Sequence, residues 1–319
     1  MRSGFEVLGY CTAAGIVYGA YKALQIYLSD CDLQTASAKL PKDAYAGKVI
    51  WVTGASSGIG AALVRQLASQ GARLIISSRT EQKLEELKSE LPCPASDVCV
   101  LPLDLGNVDE LSDKAKIALK AFGHVDILVN NGGVSTRVMA HECSFAVDKE
   151  VMNVDFLGQV CLSKAVLPSM MKRRSGQFVN ISSLAGKTGV PLRTPYCAAK
   201  HALIGWFDAL RLEQLETGIR VTNVCPGSVR TNVSRNAMMH VVGAKFDAMD
   251  ENIDTGMDVA RVADRILAAA YKGIDEVWVA KHRREWMALY MSQYLPGTFS
   301  GLAKKAAKKM AASSVNKQG

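Results

Sequence analysis

No two cysteines of this chain form a C-x-x-C pair. The eight of them stand at positions 11, 31, 93, 99, 143, 161, 197 and 225. That scatter excludes a compact disulfide framework and the common zinc spacings, so no metal site is expected. Cys197 and Cys225 read as small packed residues. Acidic residues are almost missing from the C-terminal stretch: 281–319 carries eight Lys/Arg against one Glu. The whole chain has a net charge of +8, so the remainder is nearly neutral. A globally basic nucleic-acid binder is thereby excluded, and the basic tail is what requires an explanation. An uncharged run of spanning length is lacking too. Residues 7–21 are free of charge, but a transmembrane helix needs about 20 residues. Letting Lys22 reach toward the interface extends the run to Leu28. Arg2 is nearly balanced by Glu6, and Tyr27-Leu28 makes no cleavage site, so 1–28 reads as an uncleaved membrane anchor.

What is present suits one large α/β domain: 319 residues, 49% hydrophobic and 21% charged. Residues 29–46 are polar and read as a linker. From there apolar runs such as Val49-Ile50-Trp51-Val52 alternate with helical patterns, as in a parallel sheet covered by helices on both faces. From Ser228 to about Asp258 lies a long insert containing Met238, Met239, Met249 and Met257. Its length and its adaptable thioethers suggest an apolar lid over a lipophilic substrate. Beyond residue 280, Trp286, Leu289, Tyr290, Tyr294, Leu295, Phe299 and Leu302 precede paired lysines, the pattern of a basic amphipathic segment lying on a membrane.

The chemistry is organised around Tyr196-Cys197-Ala198-Ala199-Lys200. Residues four apart on a helix share a face, so the phenol and the ammonium meet. A cation beside a phenol favours the phenolate and suits the tyrosine to acid/base work. Thirteen residues upstream, Ser183 follows the strand-like Gln177-Phe178-Val179-Asn180-Ile181-Ser182. Far upstream, Thr53-Gly54-Ala55-Ser56-Ser57-Gly58-Ile59-Gly60 joins an apolar strand to a helix. Such a turn lets the backbone approach a pyrophosphate at a helix N-terminus. The second strand, Arg73-Leu74-Ile75-Ile76-Ser77-Ser78, ends without the acid that would bind a ribose 2′-hydroxyl. Arg79 follows, and a guanidinium suits a 2′-phosphate, which favours NADP(H) over NAD(H).

A T-G-x-x-x-G-x-G turn, a serine and then Y-x-x-x-K resemble the short-chain dehydrogenase/reductase family over about 47–280, in order throughout. The stretch around Met171-Lys172-Arg173-Arg174, and Tyr294-Leu295-Pro296-Gly297-Thr298-Phe299, resemble the SDR family member 7 group. The resemblance implies a single Rossmann-type doubly wound domain with Ser183, Tyr196 and Lys200 as catalytic residues. Asn153 is implied as the fourth, holding a water on a proton path through Lys200. Cofactor contacts fall on Gly54, Ser56, Ser57, Gly58, Ile59, Gly60, Arg79, Asp104, Asn130, Tyr196, Lys200, Pro226, Gly227 and Thr231. Of these, Asn130 is implied to be mainly structural. Ser183, Met238 and Met239 would meet the substrate. The implied activity is NADP(H)-dependent, reversible reduction of a carbonyl on a steroid, retinoid or lipid ketone at a membrane. The alternatives are a reductase of 3-keto-lipids or acyl-dihydroxyacetone phosphate, and a catalytically idle anchored binding protein. The expected partners are membrane lipids and the small molecule, with a homodimer allowed. The expected location is the endoplasmic reticulum or another organelle membrane, such as the peroxisomal.

Overall fold

The computed structural model describes residues 12, 15–21, 30–281 and 283–315. Most of the anchor expected at 1–28 lies outside the described residues. Among those described, no helix is long and apolar enough to cross a membrane.

Seven parallel strands form one sheet in the order β3-β2-β1-β4-β5-β6-β7. They are β1 (Val49–Thr53), β2 (Arg73–Ser77), β3 (Val98–Val100), β4 (Ile127–Asn130), β5 (Gly176–Ile181), β6 (Ile219–Pro226) and β7 (Glu276–Val279). Valine and isoleucine dominate the central strands because both faces are covered, which removes any polar alternation. Between them run α1 (Gly58–Ser69), α2 (Glu81–Ser89), α3 (Val108–Ala121), α4 (Phe145–Met152), α5 (Gly158–Arg173), α6 (Thr194–Glu213) and α7 (Val259–Lys272). On one face, Leu63 and Leu67 of α1 and Ile266 of α7 pack on Ile50, Val52 and Leu74. On the other, Leu111, Leu162 and Phe207 from α3, α5 and α6 pack on Trp51, Leu128 and Phe178. Each fully buried aliphatic side chain contributes roughly 1.5–3 kcal/mol.

Strand order reverses between β1 and β4, and the crevice for a ligand opens beyond the carboxyl ends at such a point. Three asparagines stand in register there, Asn130 on β4, Asn180 on β5 and Asn223 on β6. Asn130 donates to Asn180 Oδ1 and Asn180 to Asn223 Oδ1, each at 2.9 Å. Asn223 donates in turn to Asp208 on α6 at 2.9 Å. This ladder satisfies the three buried amide donors and ties α6 to the sheet.

The expected linker is packed structure. Residues 33–37 form a short helix capped by Asp32, and Cys31 bridges to Val279 on the sheet edge. Tyr45, buried, donates to the Leu267 carbonyl at 2.7 Å. The tail forms α8 (Arg283–Tyr294) and α9 (Pro296–Val315). Part of its aromatic face turns inward rather than to a membrane. Leu289 is buried, and Tyr290 lies 5.3 Å from the Trp278 ring and 5.9 Å from that of Trp286. Tyr294, Leu295 and Leu302 stay exposed.

Candidate active site

The turn after β1 is shaped by what cannot fit beside it. Gly54 has φ +64, and a Cβ there would stand 2.7 Å from Gly132 Cα. Gly58 has φ +56 at the start of α1. The result is a bare backbone loop at a helix N-terminus, whose unpaired N–H groups suit a phosphate. Gly54, Ser56, Ser57, Gly58 and Ile59 line a cavity of about 440 Å³, together with Arg79 and Asp104. That volume lies in the range of small-ligand sites. Among the described residues Arg79 has no ion-pair or hydrogen-bond partner, and Lys83, one helical turn on, lines the same wall.

The same cavity is lined by Ser183, Tyr196 and Lys200, with Pro226, Gly227 and Thr231, the last lying beside Gly58. Tyr196 and Lys200 are consecutive turns of α6, whose start is favoured by Pro195 in its first turn. Lys200 is 3% exposed. Its Nζ donates to the Ile181 carbonyl at 3.1 Å and stands 5.7 Å from the centre of the Tyr196 ring. Ser183 Oγ accepts from the Ala185 N–H at 3.1 Å, leaving its own proton free to donate into the cavity.

Several expected residues lie elsewhere. Asn153 is not in the cavity wall; the residue beside Lys200 is Asp155, fully buried, with Oδ2 3.3 Å from Nζ. Asp155 Oδ1 accepts from the Val134 N–H at 2.7 Å. Residues two apart on a helix point about 200° away from each other, so the two cannot share this role. A π-helical turn at Asn153–Leu157 fixes which one faces inward. Burial pushes the Asp155 carboxyl above its ordinary range, against the pull of Lys200 and the Val134 N–H. Asn130 is likewise absent from the wall because the sheet ladder uses its amide; the neighbouring Asn131 lines the cavity instead. Gly60 lies behind the wall, where a Cβ would run into the Gly54 carbonyl and Asn131 Nδ2.

Met238 and Met239 do not line the cavity either. Met238 packs against the cluster of Val147, Val151 and Ala199, and its main chain pairs with Ser135 and Arg137. Met257 is buried in the core beside Val229. The 228–258 insert thus packs Met238 and Met257 away from the cavity and lines it with Thr231, Asn232, Asn236 and Lys245 beside the apolar Val229, Val233 and Ile253. Burial pushes the thiols of Cys197 and Cys225 up, as packed cysteines require.

Asp155, Arg137 and Arg193 line the cavity and were not picked out from sequence. One signal was available for Asp155. Val147, Val151, Asp155, Gln159 and Ser163 recur every four residues and all are buried, so a carboxylate stands on the inward stripe. Arg137 and Arg193 have no such periodic signature.

The model of the short chain dehydrogenase family matches residues 48–241. Dehydrogenase/reductase SDR family member 7B of Bos taurus is 39% identical over 267 residues, covering 82% of both chains. Dehydrogenase/reductase SDR family member 7 of Homo sapiens is 38% identical, over 82% of this chain and 78% of its own. A short-chain dehydrogenase from Streptomyces avermitilis superposes with a TM-score of 0.69 at 27% identity, over 83% of this chain and all of its own. One from Burkholderia phymatum, in complex with NAD, shares the fold with a TM-score of 0.67 at 24% identity, over 74% of this chain and 89% of its own. With its glycine turn facing Tyr196 and Lys200 across one cavity, the chain belongs to the short-chain dehydrogenase/reductase family.

Proposed function

We propose that this oxidoreductase uses NADP(H) to reduce a ketone of a lipid-like substrate, reversibly, while associated with a membrane. The observation that carries the reaction is the convergence of Tyr196, Ser183 and Lys200 on the cavity shared with the glycine turn. The turn's bare backbone fits a dinucleotide pyrophosphate, and the unpartnered Arg79 with Lys83 fits a 2′-phosphate. Dihydronicotinamide bound there supplies the hydride. Tyr196 Oη gives its proton to the substrate's carbonyl oxygen, and Ser183 Oγ donates a hydrogen bond to the same oxygen as charge develops. Lys200, held by the Ile181 carbonyl, keeps positive charge near the phenol while the proton leaves. Asp155 takes the fourth position and holds Lys200 from behind.

Support for the membrane comes from the chain's ends. Ile16, Val17, Tyr18 and Tyr21 are exposed near the start, as are Tyr294, Leu295 and Leu302 in the basic tail. Such ends suit the endoplasmic reticulum or another organelle membrane. Reduction is the favoured direction because cellular NADP pools are kept reduced.

The test is oxidation of NADPH by the detergent-solubilised full chain with a panel of steroid, retinoid and lipid ketones, products read by mass spectrometry. Tyr196→Phe should lose at least about 100-fold in turnover while still binding NADPH. Full turnover in that variant, or no product from any ketone, would remove the mechanism.

A further inference from the structure

The substrate end of the cavity is cationic. Arg137 follows the carboxyl end of β4, and Arg193 precedes Tyr196 by three residues; both line the wall, as does Lys245. Asp250, behind them, is their shared counter-charge. Its Oδ2 lies 3.3 Å from Arg137 Nη2 and 3.0 Å from Arg193 Nη2. Its Oδ1 accepts from the Asn252 N–H at 3.0 Å. Two arginines therefore share one carboxylate whose oxygens are already engaged, and Lys245 adds a third cation to the same cavity.

Arg137 is the informative residue. Its side chain is 5% exposed, so its polar groups need partners within the fold. Nη1 has them, donating to Ser135 Oγ at 2.9 Å and the Thr136 carbonyl at 2.8 Å. Nε and Nη2 make no hydrogen bond among the described residues, Nη2 having only its ion-pair contact with Asp250. Burial first, and then the like charge of Arg193, lower its pKa to about 10, so it stays a cation at neutral pH. The group is also fixed in place. The Arg137 N–H donates to the Met238 carbonyl at 3.0 Å, and the Met238 N–H to the Ser135 carbonyl at 2.8 Å. A held, desolvated guanidinium with unused donors matches a planar or tetrahedral oxyanion.

We propose that Arg137 and Arg193 bind an acidic group, a carboxylate or a phosphate monoester, on the same molecule whose carbonyl meets Tyr196. This rests on the reading of the cavity as a site of carbonyl reduction. It narrows the substrate from ketones in general to anionic ones. A neutral steroid or retinoid ketone would leave the two arginines facing apolar carbon, which is unfavourable for a buried charge.

The experiment uses matched ketones with the full-length protein and NADPH. Hydroxyacetone phosphate is compared with hydroxyacetone, and acetoacetate with methyl acetoacetate. Long-chain homologues of each tell a lipid headgroup from a free small anion. The charged member of at least one pair should exceed its neutral partner in kcat/KM by about tenfold or more, mainly through KM. Arg137→Gln should bring that ratio close to one, the charged ketone losing far more kcat/KM than its neutral partner. Arg193 is less buried, so Arg193→Gln provides the same reading if the first variant fails to fold. Equal kcat/KM within every pair, or an unchanged ratio in a folded variant, overturns the proposal and leaves the reductase standing. If no ketone is reduced, titration calorimetry of the same compounds decides. Preferential binding of the anion, lost in Arg193→Gln, supports the site, and equal binding of both members refutes it.

Discussion

Asp155→Asn isolates the electrostatics of the pocket floor, because it removes a charge and keeps the shape. The carboxylate has no exposure to solvent, and its Oδ2 lies 3.3 Å from Lys200 Nζ. At that separation the attraction is about 5 kcal/mol for an effective dielectric constant of about 20. Stripping water from the carboxylate costs several kcal/mol as well. Of the two, burial prevails: the Asp155 carboxyl is held above its ordinary range. The folded protein thus grips this proton more tightly than the unfolded chain does. Its contribution to stability is complete below the unfolded value of about 3.9 and is lost as pH rises through the raised folded value. Within that window the loss is about 1.4 kcal/mol per pH unit. Asparagine has no proton to lose there. The stability of the wild type minus that of Asp155→Asn should therefore fall as pH rises above about 4 and then level off. Urea unfolding of both proteins across the mildly acidic to neutral range measures it. A difference that stays flat, or grows with pH, would mean that the Lys200 attraction outweighs desolvation, and the reasoning would be wrong.

Two further outcomes follow from named contacts. Asn180→Ala removes the middle rung of the β4–β5–β6 ladder, leaving Asn223 Oδ1 without its donor and Asn130 with the Ser163 contact alone. At about 1–3 kcal/mol per unsatisfied buried group, the urea midpoint should report a loss of about 2–5 kcal/mol; less than about 1 kcal/mol would show the ladder to be dispensable. Arg79→Ala should weaken NADPH binding by about 10- to 100-fold and leave NADH nearly unchanged, by fluorescence titration. Equal loss for both would refute the 2′-phosphate assignment.

The sheet was legible because its strands announce themselves one at a time. Val49-Ile50-Trp51-Val52 and Ile127-Leu128-Val129 are apolar without alternation, and each lies buried in a parallel strand. The third strand is short. Pro102 has no N–H, so regular pairing ends at Val100. The chain still follows β2 irregularly, Leu101 and Leu103 donating to the Ile76 and Ser78 carbonyls. The packing of residues 30–46 was not legible, since it depends on a sheet edge built by residues near 279.

In the site the dividing line is whether chemistry stays within one element. Tyr196 and Lys200 need only the helical repeat, so their meeting could be read directly. Asn153 was chosen by its order in the chain, whereas the four-residue stripe through Val147 and Val151 leads to Asp155. Asn130 has the mainly structural role expected of it, but its partners could not be read: Asn180 and Asn223 come from sheet register, which no local spacing encodes. The charge of the substrate end is the extreme case. Arg193 and Asp250 are 57 residues apart, Arg137 comes from a third segment, and no pair of them forms a motif. The methionines of the insert suggested an apolar cover because composition names side chains without their directions. Pairing with Ser135 and Arg137 settles the direction of that segment: Met238 packs on Val147, Val151 and Ala199, outside the cavity wall, while the Arg137 guanidinium lines it. The segment thus presents a mixed face to the cavity, Thr231, Asn232, Asn236 and Lys245 beside Val229, Val233 and Ile253. The class of molecule admitted then depends on which residues tertiary pairing leaves inside.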